Sequence, residues 1–167
     1  MKEVTDTSTS PKDLAAQPSG DPNFNVRHLL AATDFSPASE RTVDYAVHLA
    51  RRLGARLTLL HVVPPPSDLG YSLGGGVSTE QIEEWQKEAE KKLAEQLARA
   101  KLEYKDVDSV QRTGHHPRDE IVRAATDLSA DLLVISTQGH TGAMHFLVGS
   151  DAEHIIEHAQ CPTLVVR

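Results

Sequence analysis

The chain has 167 residues, enough for one domain with a substantial core. A formal net charge of -7, with no stripe of Lys and Arg, argues against nucleic acid or an anionic membrane surface as the partner. A lone cysteine (Cys161) that cannot close an internal disulfide, no apolar stretch of membrane-spanning length, and a start (Lys2-Glu3-Val4-Thr5-Asp6) without the apolar centre of a signal peptide together make the cytoplasm the expected setting.

Residues 1–24, rich in Ser, Thr, Asp and Pro, read as a disordered tail, and the folded domain is expected over residues 25–167. Leu29-Leu30-Ala31-Ala32 reads as the first strand. Ser36 with Pro37 then starts a helix whose inward residues, Val43, Ala46, Val47, Ala50 and Leu53, recur at helical spacing, and Gly54 ends it. A second strand, Leu57 to Val63, is stopped by Pro64-Pro65-Pro66. Gly74-Gly75-Gly76 lies in a flexible connection and lacks the lysine of a P-loop. Ser78 with Gln81 forms a capping box for a helix with Ile82, Trp85, Ala89, Leu93, Leu97 and Ala100 on one face. A weaker strand over Lys105 to Arg112 precedes a helix that turns Ile121, Ala124, Ala125 and Leu128 inward.

The stretch from Asp131 to Ala159 carries the chemistry. Leu132 to Ile135 reads as a strand buried on both faces, ending abruptly at Ser136-Thr137-Gln138-Gly139. A second turn at Gly149-Ser150 opens a helix, with Ser150 and Glu153 as its expected capping box. Free amides at such a helix start suit an anion, above all phosphate; an ordinary strand-loop-helix connection is the plainer alternative. Thr163 to Val166 makes the last strand. The order implies a doubly wound α/β domain, a mostly parallel five-stranded sheet of Rossmann-like type with helices on both faces. Ligands of such sheets sit beyond the strand carboxyl ends where the winding reverses. If the first and fourth strands are neighbours, Thr33-Asp34 and Ser136 to Gly139 face one crevice.

Ala-Thr-Asp-Phe-Ser (32–36), Leu-Leu-His-Val (59–62), Ser-Thr-Gln-Gly (136–139) followed by nine residues and Gly-Ser, and the closing Ala-Gln-Cys-Pro-Thr-Leu-Val-Val-Arg (159–167) resemble the universal stress protein family. The resemblance spans roughly Val26 to Arg167 and is similar to that family's nucleotide-binding branch. It implies a stress-response module that binds ATP, ADP or AMP, with Mg2+ bridging the phosphates. The alternatives are a nucleotide-independent dimerisation module or a slow ATP hydrolase. By resemblance, Asp34 holds the ribose hydroxyls and the Val62 backbone reads the adenine edge. Gly139, Gly149 and Ser150 wrap the phosphates with the amides of Asp151 and Ala152, while Ala32, Thr33, Ile135, Ser136 and Gln138 complete the site. For Asp34 alone, a helix-start residue bonding local amides is the competing role.

This chain departs from the nucleotide-binding pattern in three ways. Ser136 stands where the motif has glycine, no Lys or Arg lies between Gly139 and Gly149, and Asp151 follows Gly149-Ser150 directly. Asp151 should stabilise the helix start and repel a triphosphate. His154-Ile155-Ile156-Glu157-His158 matches the His-x-x-Glu-His pattern of some zinc peptidases. Ile155 and Ile156, with Ala152 and Ala159, are expected to form the buried face there, turning both histidines to solvent, with no long segment downstream for a third ligand. Leu164, Val165 and Val166 make both faces of an edge strand apolar, so a homodimer through Thr163 to Arg167 is expected.

Overall fold

Leu29, Leu30 and Ala31 are all fully buried, as are Leu57, Leu59, Leu133 and Val134. Consecutive burial of this kind requires cover on both faces of a sheet, and that is what surrounds these strands. The computed structural model describes residues 25–63, 65, 78–137 and 149–167. The tail expected over residues 1–24, the Gly74-Gly75-Gly76 connection and residues 138–148, including Gln138 and Gly139, lie outside the described residues.

The strands are β1 (His28–Ala32), β2 (Arg56–Val63), β3 (Val107–Thr113), β4 (Leu132–Ser136) and β5 (Thr163–Val166). They pair in parallel throughout, in the order β3-β2-β1-β4-β5. Among the described residues four helices connect them: α1 (Pro37–Leu53), α2 (Thr79–Glu103), α3 (Pro117–Asp127) and α4 (Ser150–His158). Helices α1 and α2 share one core with Leu29, Leu57 and Leu59, while α3 and α4 share the other with Leu30, Leu60 and Leu133. The chain winds outward from β1 to β3, then crosses back to lay β4 on the other side of β1. The winding reverses between β1 and β4, the place where this architecture opens a crevice.

Local signals explain most of the boundaries. Ser36 caps α1 by accepting the Ser39 amide at 3.2 Å, Pro37 occupies its first turn, and Gly54 ends it at φ +64°. Ser78 and Gln81 exchange the two reciprocal bonds of a capping box at the start of α2.

Four expectations are corrected. The capping box at Ser150 does not form. Gly149 is the cap of α4, accepting the Glu153 amide at 2.9 Å, and among the described residues no side-chain cap bond is made at that end. The Gly149 amide is itself bonded to the Thr137 carbonyl at 3.1 Å, which fixes the extended residue one position earlier than Ser150. Ile156 is 46% exposed while Ile155 is buried, since neighbours on a helix point about 100° apart and only one can face the core. Leu53, the last residue of α1, is outside the core and 48% exposed. Trp85 is 41% exposed. Helix α2 has 25 residues and so runs about 37 Å, longer than the strands beneath it, and it buries side chains only from Leu93 onward.

Candidate functional site

The crevice is built by register. Ala32 of β1 stands beside Leu60 of β2, and Ala31 stands beside Val134 of β4. Extending each strand puts Asp34 level with Val62 on one side and with Thr137 on the other. The Thr33 amide donates to the Leu60 carbonyl at 2.9 Å, which carries the β1–β2 pairing past the strand end. Asp34 therefore leaves the sheet at its carboxyl edge, between β2 and β4.

A knot of short polar bonds fixes the Asp34 backbone. The Asp34 amide donates to Ser39 Oγ at 3.3 Å, Ser39 Oγ lies 3.2 Å from Thr33 Oγ1, and the Phe35 amide donates to Thr33 Oγ1 at 3.2 Å. Asp34 Oδ1 accepts the Ser36 amide at 3.0 Å, so the local helix-start role considered from sequence is real. Phe35 adopts φ +64°, a left-handed conformation unusual for a bulky residue. Its ring packs on His61 with centroids 4.2 Å apart. His61 Nδ1 donates to the Thr33 carbonyl at 2.8 Å, tying the tip of β2 to the same turn. In the neutral ring this leaves Nε2 as the acceptor.

The other wall is the start of α4. Thr137 donates its amide to the Val166 carbonyl at 3.0 Å and accepts the Gly149 amide at 3.1 Å, so the helix start hangs from the end of β4. A Cβ on Gly149 would lie 3.2 Å from the Thr137 carbonyl oxygen, so the close approach favours glycine. The amides of Ser150, Asp151 and Ala152 precede the first i→i−4 bond of α4, and among the described residues no side-chain cap bond is made there. Such a helix start is chemically suited to anionic oxygen.

Of the residues singled out from sequence, Ala32, Thr33, Asp34, Val62, Ile135 and Ser136 stand at the carboxyl ends of β1, β2 and β4. Gly149, Ser150, Asp151 and Ala152 form the helix start beside them. Three contributors were missed. Phe35 and His61 sat inside two quoted motifs without a role of their own. Arg118, second residue of α3, brings Nη1 to 3.5 Å from Asp151 Oδ1. A cation in the first turn of a helix, where acids are usual, was the one signal that could have marked it. The His-x-x-Glu-His residues do not converge on a metal. His154 Nε2 lies 2.7 Å from Asp119 Oδ1, and His158 Nδ1 donates to the His154 carbonyl at 2.8 Å. The two rings stack 4.1 Å apart within 18° of parallel, which keeps their in-plane lone pairs from meeting at one point.

Comparison with known proteins fits this architecture. The profile of the Universal stress protein family matches residues 25–167. A universal stress protein of Methanocaldococcus jannaschii is 30% identical over 141 residues, covering 84% of this chain and 82% of that protein. This chain belongs to the universal stress protein family. Among solved structures, a universal stress protein in complex with cAMP superposes with TM-score 0.67 at 23% identity, covering 86% of this chain and 98% of that one. A universal stress protein from Archaeoglobus fulgidus in complex with dAMP gives TM-score 0.61 at 23% identity, covering 85% and 98%. At that identity the likeness establishes the universal stress protein fold for this chain. No helix among the described residues is long and apolar enough to cross a membrane.

Proposed function

We propose that this universal stress protein is a regulatory module of the stress response that binds an adenine nucleotide in the crevice between β1 and β4. One observation carries the reading. Asp34, the Val62 backbone and the first turn of α4 lie at the carboxyl ends of the neighbouring strands β1, β2 and β4, with α4 tied to the end of β4 by the Gly149–Thr137 bond of 3.1 Å. A carboxylate suits a ribose diol, a strand backbone offers the adenine edge an amide and a carbonyl, and a helix start suits phosphate. The two relatives solved with cAMP and dAMP support the same ligand class. ATP, ADP and AMP are the candidates. Among the described residues no group of three His, Cys, Asp or Glu side chains could hold a metal ion. Mg2+ would come with a polyphosphate ligand, where it would supply neutralisation of the phosphate charge. Binding and release, rather than turnover, is the activity proposed, in the cytoplasm.

The test has two arms. Mass spectrometry of ligand released from the denatured protein should detect an adenine nucleotide, and Asp34→Ala should purify with much less of it. Protein that carries none, and is indifferent to Asp34→Ala in nucleotide titrations, overturns the reading. A homodimer through β5 completes the proposal. This edge strand is half-buried along its length, with apolar Leu164, Val165 and Val166 in sequence. Light scattering should give twice the chain mass, and Val165→Pro, which deletes a pairing amide, should give the monomer. A monomeric wild type refutes it.

A further inference from the structure

We infer that Arg118 is the cation serving the phosphate end of the crevice, and that it sets the preference for polyphosphate over monophosphate. The inference rests on the nucleotide reading above and sharpens it. The segment from Gly139 to Gly149 supplies no Lys or Arg, so a permanently charged side chain at the phosphate end has to come from another element. Arg118 does come from another element, α3, and reaches the first turn of α4.

Its position is poorly explained by stability. A cation in the first turn of α3 meets the positive end of that helix dipole, where a carboxylate would be favoured. Nor are its partners strong ones. Nη1 lies 3.5 Å from Asp151 Oδ1 and Nε lies 3.9 Å from Asp119 Oδ1, both longer than the roughly 2.7–2.9 Å of a charge-assisted hydrogen bond. The Nε donor is buried and has no hydrogen-bond partner among the described residues. Asp119 is shared as well, since the same Oδ1 lies 2.7 Å from His154 Nε2. Two other arginines of this face are bound tightly by comparison. Arg112 meets Asp127 at 2.7 Å, and Arg123 meets Glu120 at 2.7 Å.

Arg118 is thus an under-used fork of donors, held loosely by the carboxylate of Asp151 in the first turn of α4. A phosphate at the amides of that turn offers the guanidinium a bidentate acceptor better than a shared carboxylate. Asp151 then has a different role from simple repulsion of the ligand. It pairs with Arg118 while the crevice is empty of phosphate and keeps the cation at the helix start. The benefit should grow with phosphate charge and vanish for a ligand without phosphate.

The experiment is calorimetry of the full chain with Mg-ATP, AMP and adenosine, using wild type, Arg118→Met, Arg118→Lys and Arg123→Met. Arg123→Met removes the same charge from the same helix, at a side chain that is 63% exposed and paired to Glu120. Arg118→Met should weaken Mg-ATP about tenfold, AMP about threefold and adenosine not at all, with Arg118→Lys recovering part of the loss. Arg123→Met should leave all three ligands within about twofold of wild type, as expected for a screened surface charge. Equal losses for adenosine and Mg-ATP would mean that Arg118 only supports the structure. Wild-type affinity for Mg-ATP in Arg118→Met, or the same pattern in Arg123→Met, overturns this inference alone. A wild type that binds none of the three overturns the nucleotide reading and this inference with it.

Discussion

Asp131 offers the sharpest test of how the two strands that frame the crevice are held. Its Oδ2 accepts the backbone amides of Arg27 and His28, each at 2.9 Å, while its own amide donates to the His28 carbonyl at 2.9 Å. One carboxylate therefore clasps the start of β1 to the start of β4. Hydrogen bonds to a charged group contribute about 1.5–3 kcal/mol each, and the Arg27 bond, being exposed, belongs at or below the low end. Asp131→Ala should cost about 2–3 kcal/mol, whereas Asp131→Asn keeps an acceptor in place and should cost about 1 kcal/mol. For a chain of this length that corresponds to a fall in Tm of roughly 4–12 °C for the alanine variant. Urea unfolding followed by circular dichroism measures it, with an unchanged slope as the sign that only stability moved. The clasp lies at the opposite end of the strands from the crevice, roughly 15–20 Å away along β4. Nucleotide affinity of folded Asp131→Ala should therefore equal that of wild type. An alanine variant within about 0.5 kcal/mol of wild type, or an asparagine variant as unstable as alanine, refutes the reasoning.

Three further outcomes are expected. Gln96 is 5% exposed and both of its amide atoms are buried without a partner, so Gln96→Leu should raise stability by about 1–3 kcal/mol in the same urea assay; a loss would mean that the amide is satisfied by ordered water. His28 is buried, and that burial first, then the charge of Arg56, holds its pKa below the ordinary histidine value. The unfolded chain therefore binds the proton more readily, so this group's contribution is complete above about pH 6.5, is lost as pH falls below it, and levels off beneath the lowered folded value. His28→Gln should flatten that part of the stability–pH curve, and an unchanged curve would contradict the assignment. Gly149→Val should keep the circular dichroism of the fold but weaken nucleotide binding at least about tenfold, because a Cβ there meets the Thr137 carbonyl at 3.2 Å and the added methyls crowd the phosphate wall. Undiminished binding would show that the helix start does not touch the ligand.

The alternation of strand and helix was legible because each element carries its own punctuation. Ser36-Pro37, Gly54 and the Ser78–Gln81 box are local chemistry, and continuous apolar runs distinguish doubly covered strands from half-exposed ones. The neighbouring of β1 and β4, a tertiary fact, was legible only as a consequence of this winding pattern. What escaped was set by distance in space. Two carboxylates flank Arg118, and Asp151, 33 residues away, meets it only because α3 and α4 begin side by side. The helix cap moved from Ser150 to Gly149 because of a bond to Thr137, which no window around Ser150 contains. Ile156 and Trp85 look apolar to any pattern, but helix phase and the overhang of α2 decide their exposure. The turn at Asp34 was marked by its motif, whereas the support that His61 and Phe35 give that turn comes from pairing β1 with β2.

The central claim is tested most directly by calorimetric titration of the wild-type chain with Mg-ATP, Mg-ADP and AMP, repeated on Asp34→Ala. The account predicts saturable binding of at least one nucleotide, one per chain, with affinity lost by an order of magnitude or more in the variant. No heat of binding from any of the three at millimolar concentration would contradict it, as would equal affinity in Asp34→Ala.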